Sequence, residues 1–192
     1  MSPASVVAVF AVALVVVVVG FLGVTEYNAV MALRQRIDKA WSNIDVALKQ
    51  RHDQLPALVA SVKGVLAFEH GVLTDVAHAR AAYAPTEPIP DQAIHSDQTS
   101  AAVRSLFAVV EQYPELRSRQ HVLDLQDEIE RLESIIADRR ELYNDQVYRF
   151  NSKISTLPTL ALAWTLGWSD RAFFAAAPGE TARPAVDLAS DR

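Results

Sequence analysis

Residues 41–56 read WSNIDVALKQRHDQLP, Trp41 to Pro56, and the fold turns on how that stretch ends. Trp41, Ile44 and Leu48 recur at steps of three and four, the period of one apolar helix face. The chain then inserts Gln50, Arg51, His52 and Asp53 before Leu55 and Pro56. Inside a helix a proline removes a hydrogen bond and clashes with the preceding turn, at about 3 kcal/mol or more. At the first turn of a new helix it costs little, and Asp53 could cap that turn. The competing reading is one long helix kinked at the proline, since positions 41, 48, 55 and 62 stay in heptad phase. The cost of an interior proline favours the turn. Trp41, Ile44 and Leu48 then seal a bundle, and Arg51 and His52 are polar groups presented at one end of it.

Upstream, residues 4–24 (ASVVAVFAVALVVVVVGFLGV) carry one hydroxyl and no charge. As a helix they reach about 30 Å, the thickness of a bilayer hydrocarbon core. A cleaved signal peptide would need a basic start, a shorter apolar stretch and a small-residue cleavage site, and none is present. Residues 4–24 are therefore expected to be an uncleaved transmembrane anchor, with the lipid bilayer as a partner. Arg34, Arg36 and Lys39 follow the span, and only Met1, Ser2 and Pro3 precede it. The positive-inside rule puts a short N-terminus outside and the rest in the cytoplasm, at the plasma membrane.

Downstream the pattern stays helical. The seam Leu33, Ile37, Trp41, Ile44, Leu48 resumes at Leu55, Leu58, Val62, Val65, Val72 and Val76 and extends to Tyr83. Three prolines in 84–90 mark a loop. A third helix is expected from about Asp91 or Asp97 to Glu111, with Val103, Leu106, Phe107 and Val110 inward, and Gln112-Tyr113-Pro114 breaks it. Ser118 is a credible N-cap for a last helix reaching Ser155, whose outer face carries Asp127, Glu128, Glu130, Arg131, Glu133 and Asp138. Single apolar stripes joined by short connections predict an all-α protein: an N-terminal transmembrane helix, then an antiparallel up-and-down four-helix bundle over 26–156, coiled-coil-like in its spacing. Residues 157–174 read as an apolar segment packing on that bundle, and 175–192 as a disordered tail. The aromatic residues Trp164, Trp168, Phe173 and Phe174 either close the bundle's open end or enter a membrane interface.

The composition narrows the chemistry. A net charge of −5, pI near 5.5 and no basic patch give no reason to expect nucleic acid. There are no cysteines, which excludes disulfides, thiolate metal sites and thiol catalysis. The five histidines lack the i, i+3 or i+4 spacing that brings two imidazoles to one metal ion; the closest pair, His70 and His78, is eight residues apart. No nucleophile elbow or glycine-rich phosphate loop occurs. No cofactor is expected, and the chain reads as a non-enzyme. The alternative is a metal-dependent hydrolase using Arg51-His52-Asp53. Other polar residues sit on or beside the seam: Asp45 adjoins Trp41 and Leu48, Arg139 falls between Ile136 and Tyr143, and Asn144 and Asn151 share a face. A buried arginine needs a partner, so Arg139 should find Asp45 or Asp53, or reach outward. Together these residues suggest a register-fixing polar layer or a groove for a partner.

The stretch YNAVMALRQRIDKAWSNIDVALKQRHDQLPALVASVKG (27–64) resembles the signature of the LemA family. So does EQYPELRSRQHVLDLQDEIERLESIIADRRELYNDQVYRFNSKI (111–154), with its Y-P-E-L turn and R-R-x-x-Y-N-D element. The characteristic positions matched are Trp41, Asp45, Arg51, His52, Asp53, Pro56, Lys63 and Gly64. In the second block they are Tyr113, Pro114, Leu125, Gln126, Arg139, Arg140, Tyr143, Asn144 and Asn151. The resemblance implies a bacterial single-pass membrane protein with a helical bundle, no established catalytic residue, and a role through a protein partner or a homo-oligomer. Some relatives take part in magnetosome formation and others are encoded near a membrane zinc protease, which points to membrane organisation or envelope quality control. The chain departs from the family's pattern in its proline-rich 84–97 segment and in LPTLALAWTLGW, where the family has phenylalanine–proline and phenylalanine–glycine–phenylalanine elements.

Overall fold

The computed structural model describes residues 3–66 and 69–175, which are mostly helical with no strand among them. Six helices follow in order: α1 (Pro3–Val62), α2 (His70–Ala81), α3 (Ile89–Val110), α4 (Pro114–Arg117), α5 (Gln120–Ile154) and α6 (Thr159–Leu166). Residues 176–192, nearly all of the expected tail, lie outside the described residues.

The turn expected at 51–56 does not form. α1 runs straight through Pro56 for 60 residues. The reason lies in the unbroken phase of the apolar stripe. Leu48, Leu55, Leu58 and Val62 are all buried, at 3% exposure or less. Burying such side chains contributes about 1.5–3 kcal/mol each, which together outweighs one missing hydrogen bond. Asp53 caps nothing and instead pairs with Lys49 one turn earlier, at 2.9 Å. The chain leaves the helix at Lys63-Gly64, where the poor helix propensity of glycine coincides with the end of the stripe. Pro56 still cannot donate to the carbonyl of His52, and it lies exposed. Pro56→Ala is accordingly expected to raise stability by about 1 kcal/mol, the restored bond being partly offset by a freer unfolded chain; denaturant titration of the two proteins measures it.

Two further boundaries differ from expectation. Ser118 is the C-cap of the one-turn helix α4 opened by Pro114, and its hydroxyl donates to the carbonyl of Glu115 at 3.1 Å. α3 starts at Ile89, earlier than expected, because Pro90 falls in the first turn, where its missing N–H leaves no partner unsatisfied.

The chain divides into two compact units. One comprises residues up to Trp41 with Asp145–Arg171. Val30, Ile37, Val147, Phe150, Ile154 and Ala163 are its buried apolar residues. Its leading apolar helix is of a different kind: the large side chains from Val6 to Val24 are 39–72% exposed. This helix is long and apolar enough to cross a membrane. The other unit comprises Ser42–Asn144 with the chain from Ala172 onward. One apolar core unites it: Leu55, Leu58 and Val62 of α1, Val76 of α2, Val103 and Leu106 of α3, Leu116 of α4, and Val122, Leu125 and Ile129 of α5. The periodic stripes of the sequence account for all of these but Leu116, which the one-turn helix α4 supplies where the sequence reads as a break between helices.

Candidate functional site

Arg51 stands three residues after Leu48 and four before Leu55, so the α1 stripe carries it into the interior rather than to an end of the fold. It is 3% exposed. A guanidinium taken out of water needs its donors matched, and here they are. Nη1 donates to Glu133 Oε1 of α5 at 2.6 Å and to Ser100 Oγ of α3 at 2.8 Å. Nη2 donates to the hydroxyl and carbonyl oxygens of Ser96, at 3.0 and 3.3 Å. The Ser100 hydroxyl donates to the second Glu133 oxygen at 2.6 Å. One arginine thus ties α1 to α3 and α5. The sequence reading assigned Glu133 to the solvated face and passed over Ser96 and Ser100. Their signal was available: Glu133 is four residues from Ile129, and Ser96 and Ser100 form an i, i+4 pair leading into Val103.

His52 and Asp53 go elsewhere. Consecutive helical residues do not face one another, so the Arg-His-Asp run is dispersed by the helix itself. His52 lies against the ring of Tyr83, centroids 4.7 Å apart, and its Nδ1 is buried with no hydrogen-bond partner among the described residues. Burial, reinforced by the charge of Arg80, holds its pKa below the usual histidine value of 6.5, while neighbouring Asp53 opposes this and Lys49 adds to it. Burial and the adjacent Asp45 carboxylate push the Tyr83 phenol upward. Asp53 is held below the ordinary carboxylate range, chiefly by its bond to Lys49. A cavity of about 20 Å³ is lined by Arg51, Tyr83, Gln92, His95 and Ser96 with Leu48 and Ala84, enough for one water molecule. Among the described residues no three of His, Asp and Glu gather into a metal-holding group.

The His52 environment sets a pH dependence. The unfolded ring takes its proton at a higher pH than the folded one. The stability this histidine contributes is complete above about 6.5 and is lost as pH falls through the lower folded value. His52→Gln is expected to flatten the decline in melting temperature between about pH 7 and pH 5 relative to the parent. An unchanged slope would mean that the ring protonates freely in place.

The second half of α5 holds the chain's final described stretch by its backbone. In the unit containing Ser42–Asn144, Asn144 Oδ1 accepts the Phe174 N–H at 2.9 Å and Asn144 Nδ2 donates to the Phe174 carbonyl at 3.0 Å. The Tyr143 hydroxyl donates to the carbonyl of Ala172 at 2.9 Å, and Arg140 Nε to that of Phe174 at 3.1 Å. Asp97 of α3 fixes Arg140 with two bonds of 2.9 and 3.0 Å. The Arg140 guanidinium lies 4.9 Å from the centroid of the Phe174 ring, which is fully buried. In the other unit Asn151 makes the same two-bond clamp on Arg171, with distances of 2.9 and 3.0 Å. An asparagine amide offers one acceptor and two donors side by side, so it pairs with a peptide unit as a neighbouring strand would. That is how an extended segment is held with no sheet.

Arg139 finds neither Asp45 nor Asp53. It donates to the backbone carbonyl of Asn43 from a partly exposed position. Trp41 is half-buried. The structure therefore brings Arg51 to Glu133, Arg140 and Asn144 to Phe174, and Tyr143 to Ala172, but it does not assemble Arg51, His52 and Asp53. Asp97 and Glu133 are functional candidates that the sequence reading did not single out, while it gave Arg140 only as a position matched to the family and Phe174 only as an aromatic residue closing the bundle or entering a membrane.

No curated protein matches the chain. The sequence model of one family, described as the LemA family, matches residues 40–188, which include Arg51, Glu133, Arg140, Tyr143, Asn144 and Asn151. The chain belongs to the LemA family.

Proposed function

We propose that this protein is a non-enzymatic, membrane-anchored scaffold or adaptor that works through protein contacts. Residues 4–24 cross the plasma membrane once, with a short N-terminus outside and the folded part in the cytoplasm. Residues 42–62, α2, α3 and the start of α5 act as an antiparallel four-helix bundle around the core they share. The observation that supports a scaffold over an enzyme is where the polar side chains go. Arg51, Glu133, Ser100, Arg140, Asp97 and Asn144 bond to one another or to backbone, which rigidifies the fold rather than aiming groups at a substrate. The hydrolase reading would need His52 and Asp53 to act together, and the helix turns them apart.

The partner-facing surface is sought among exposed apolar residues of the same unit. Val46 is 49% and Leu142 60% exposed. Photo-crosslinkers at Val46 and Leu142, activated in living cells, are expected to capture one reproducible adduct, a second copy or a distinct protein. If neither position yields an adduct and the detergent-purified protein is monomeric without companions, the scaffold reading fails.

A further inference from the structure

α6 is built inside out for a helix in water. Its buried positions are the small or polar Thr159 and Ala163, four residues apart. The adjoining face, together with the residue two before the helix, carries Leu157, Leu160 and Trp164, which are 78%, 46% and 86% exposed. A helix packed in aqueous surroundings turns its large apolar residues inward. Trp164 does the opposite, and no covering element lies over it among the described residues.

The place of α6 within its unit explains what covers it. The Thr159 hydroxyl donates to Glu26 Oε2 at 2.8 Å, and Lys153 pairs with the same oxygen at 2.5 Å. Just beyond the other end of α6, the Trp168 ring meets that of Tyr27, centroids 5.9 Å apart. Both ends of α6 are thus tied to neighbouring residues of α1, two and three positions after Val24, where the exposed apolar stretch stops. A helix of eight residues is only about 12 Å long, so all of it stays at that level. Glu26, the first charge after the apolar stretch, is satisfied by Lys153 and Thr159, which hold its pKa below the ordinary value. On the reading that residues 4–24 span a bilayer, the Tyr27–Trp168 pair stands at the level where headgroups meet acyl chains, the zone in which tyrosine and tryptophan are enriched.

We propose that α6 lies in the membrane interface and is a second lipid contact, with Leu157, Leu160 and Trp164 entering the boundary between headgroups and acyl chains. This inference rests on the reading that residues 4–24 span a bilayer. The occupant of the exposed face is lipid, because α6 is tied to α1 just where the exposed apolar stretch of α1 ends, and its exposed face contains no charged residue. The consequence is mechanical. One spanning helix leaves the following domain free to swing about the anchor, whereas a helix embedded beside it fixes the tilt of α1 where it leaves the membrane.

The chain has no cysteine, so single cysteines report single positions. The full-length protein is reconstituted in phosphatidylcholine vesicles with an NBD fluorophore at Val12→Cys, Leu160→Cys or Glu130→Cys. Nitroxide-labelled phosphatidylcholines carry the quencher near the headgroup or deep in the acyl chain. The label at 12 is expected to be quenched by the deep nitroxide, that at 160 by the shallow one, and that at 130 by neither. Adding Trp164→Glu to the 160-labelled protein is expected to cut its shallow quenching by about half or more, since one anchoring aromatic becomes a charge. Residue 164 is exposed, so circular dichroism should show unchanged helix content. Quenching at 12 without quenching at 160 overturns the proposal, leaves the anchor intact and means that water or protein covers α6. Absence of quenching at 12 as well overturns the spanning reading itself, and this inference with it.

Discussion

Replacing Glu133 by leucine is expected to destabilise the protein by about 3–5 kcal/mol, because it strands the buried Arg51 guanidinium without its carboxylate. The reverse change, Arg51→Met, is expected to cost less, about 1–2 kcal/mol. The asymmetry follows from exposure: the Arg51 side chain is 4% accessible and that of Glu133 28%. A carboxylate left alone at the rim can turn into water, while the guanidinium has nowhere to go. Ser100 loses little either way, since its hydroxyl can also donate to the Ser96 carbonyl at 3.1 Å. The double variant Arg51→Met/Glu133→Leu should therefore be more stable than Glu133→Leu alone, with a coupling of about 2 kcal/mol or more in the cycle. Denaturant unfolding of the four proteins in one mild detergent measures it. Additive single effects would show that the guanidinium reaches water in the absence of Glu133 and that the network is not a closed one. Against a total stability of about 5–15 kcal/mol for an ordinary domain, the Glu133 effect alone takes a large share.

How much of this could be read from the chain depends on the range of the interaction. The all-helical character, the apolar span and the core positions Leu55, Leu58, Leu106, Leu125 and Ile129 follow from a period that acts over one or two turns. Pro56 reads as a turn because its penalty is local, whereas the four buried leucine and valine positions that flank it in phase act through packing the sequence does not display. That one reading displaces Arg51 from the interior to an end of the bundle, and it turns Asp53 into a cap. Asn144 and Asn151 were legible as a pair, since residues seven apart share a helix face. What they hold was not: Phe174 is 30 residues from Asn144, and an extended segment carries no period to mark it. Glu133 was hidden for a similar reason. Its partner lies 82 residues away, and on its own helix it blends into a charged surface. The exposed face of α6 was legible only as apolar, because the sequence says nothing of which side of that helix meets Glu26.

Phe174→Ala is expected to remove about 3 kcal/mol and to release the segment it belongs to. Ordering each backbone residue costs about 1–2 kcal/mol, while a hydrogen bond contributes about 1 kcal/mol net. The bonds from Tyr143, Asn144 and Arg140 therefore come close to offsetting the order they impose, and the buried ring under Arg140 makes the difference. Asn144→Ala alone should cost about 1–2 kcal/mol, through the Phe174 amide left without its acceptor, while the carbonyl keeps the bond from Arg140. If the ring governs docking, Asn144→Ala made in the Phe174→Ala protein should cost almost nothing, since the clamp then grips no peptide. Hydrogen exchange reads the same event directly. The Phe174 amide, protected by Asn144 in the parent, should exchange near the unstructured rate in Phe174→Ala and remain protected in Phe174→Leu. Equal costs for Asn144→Ala in both backgrounds, with a still-protected amide, would mean that the polar clamp alone holds the segment and the ring merely fills the space beneath it.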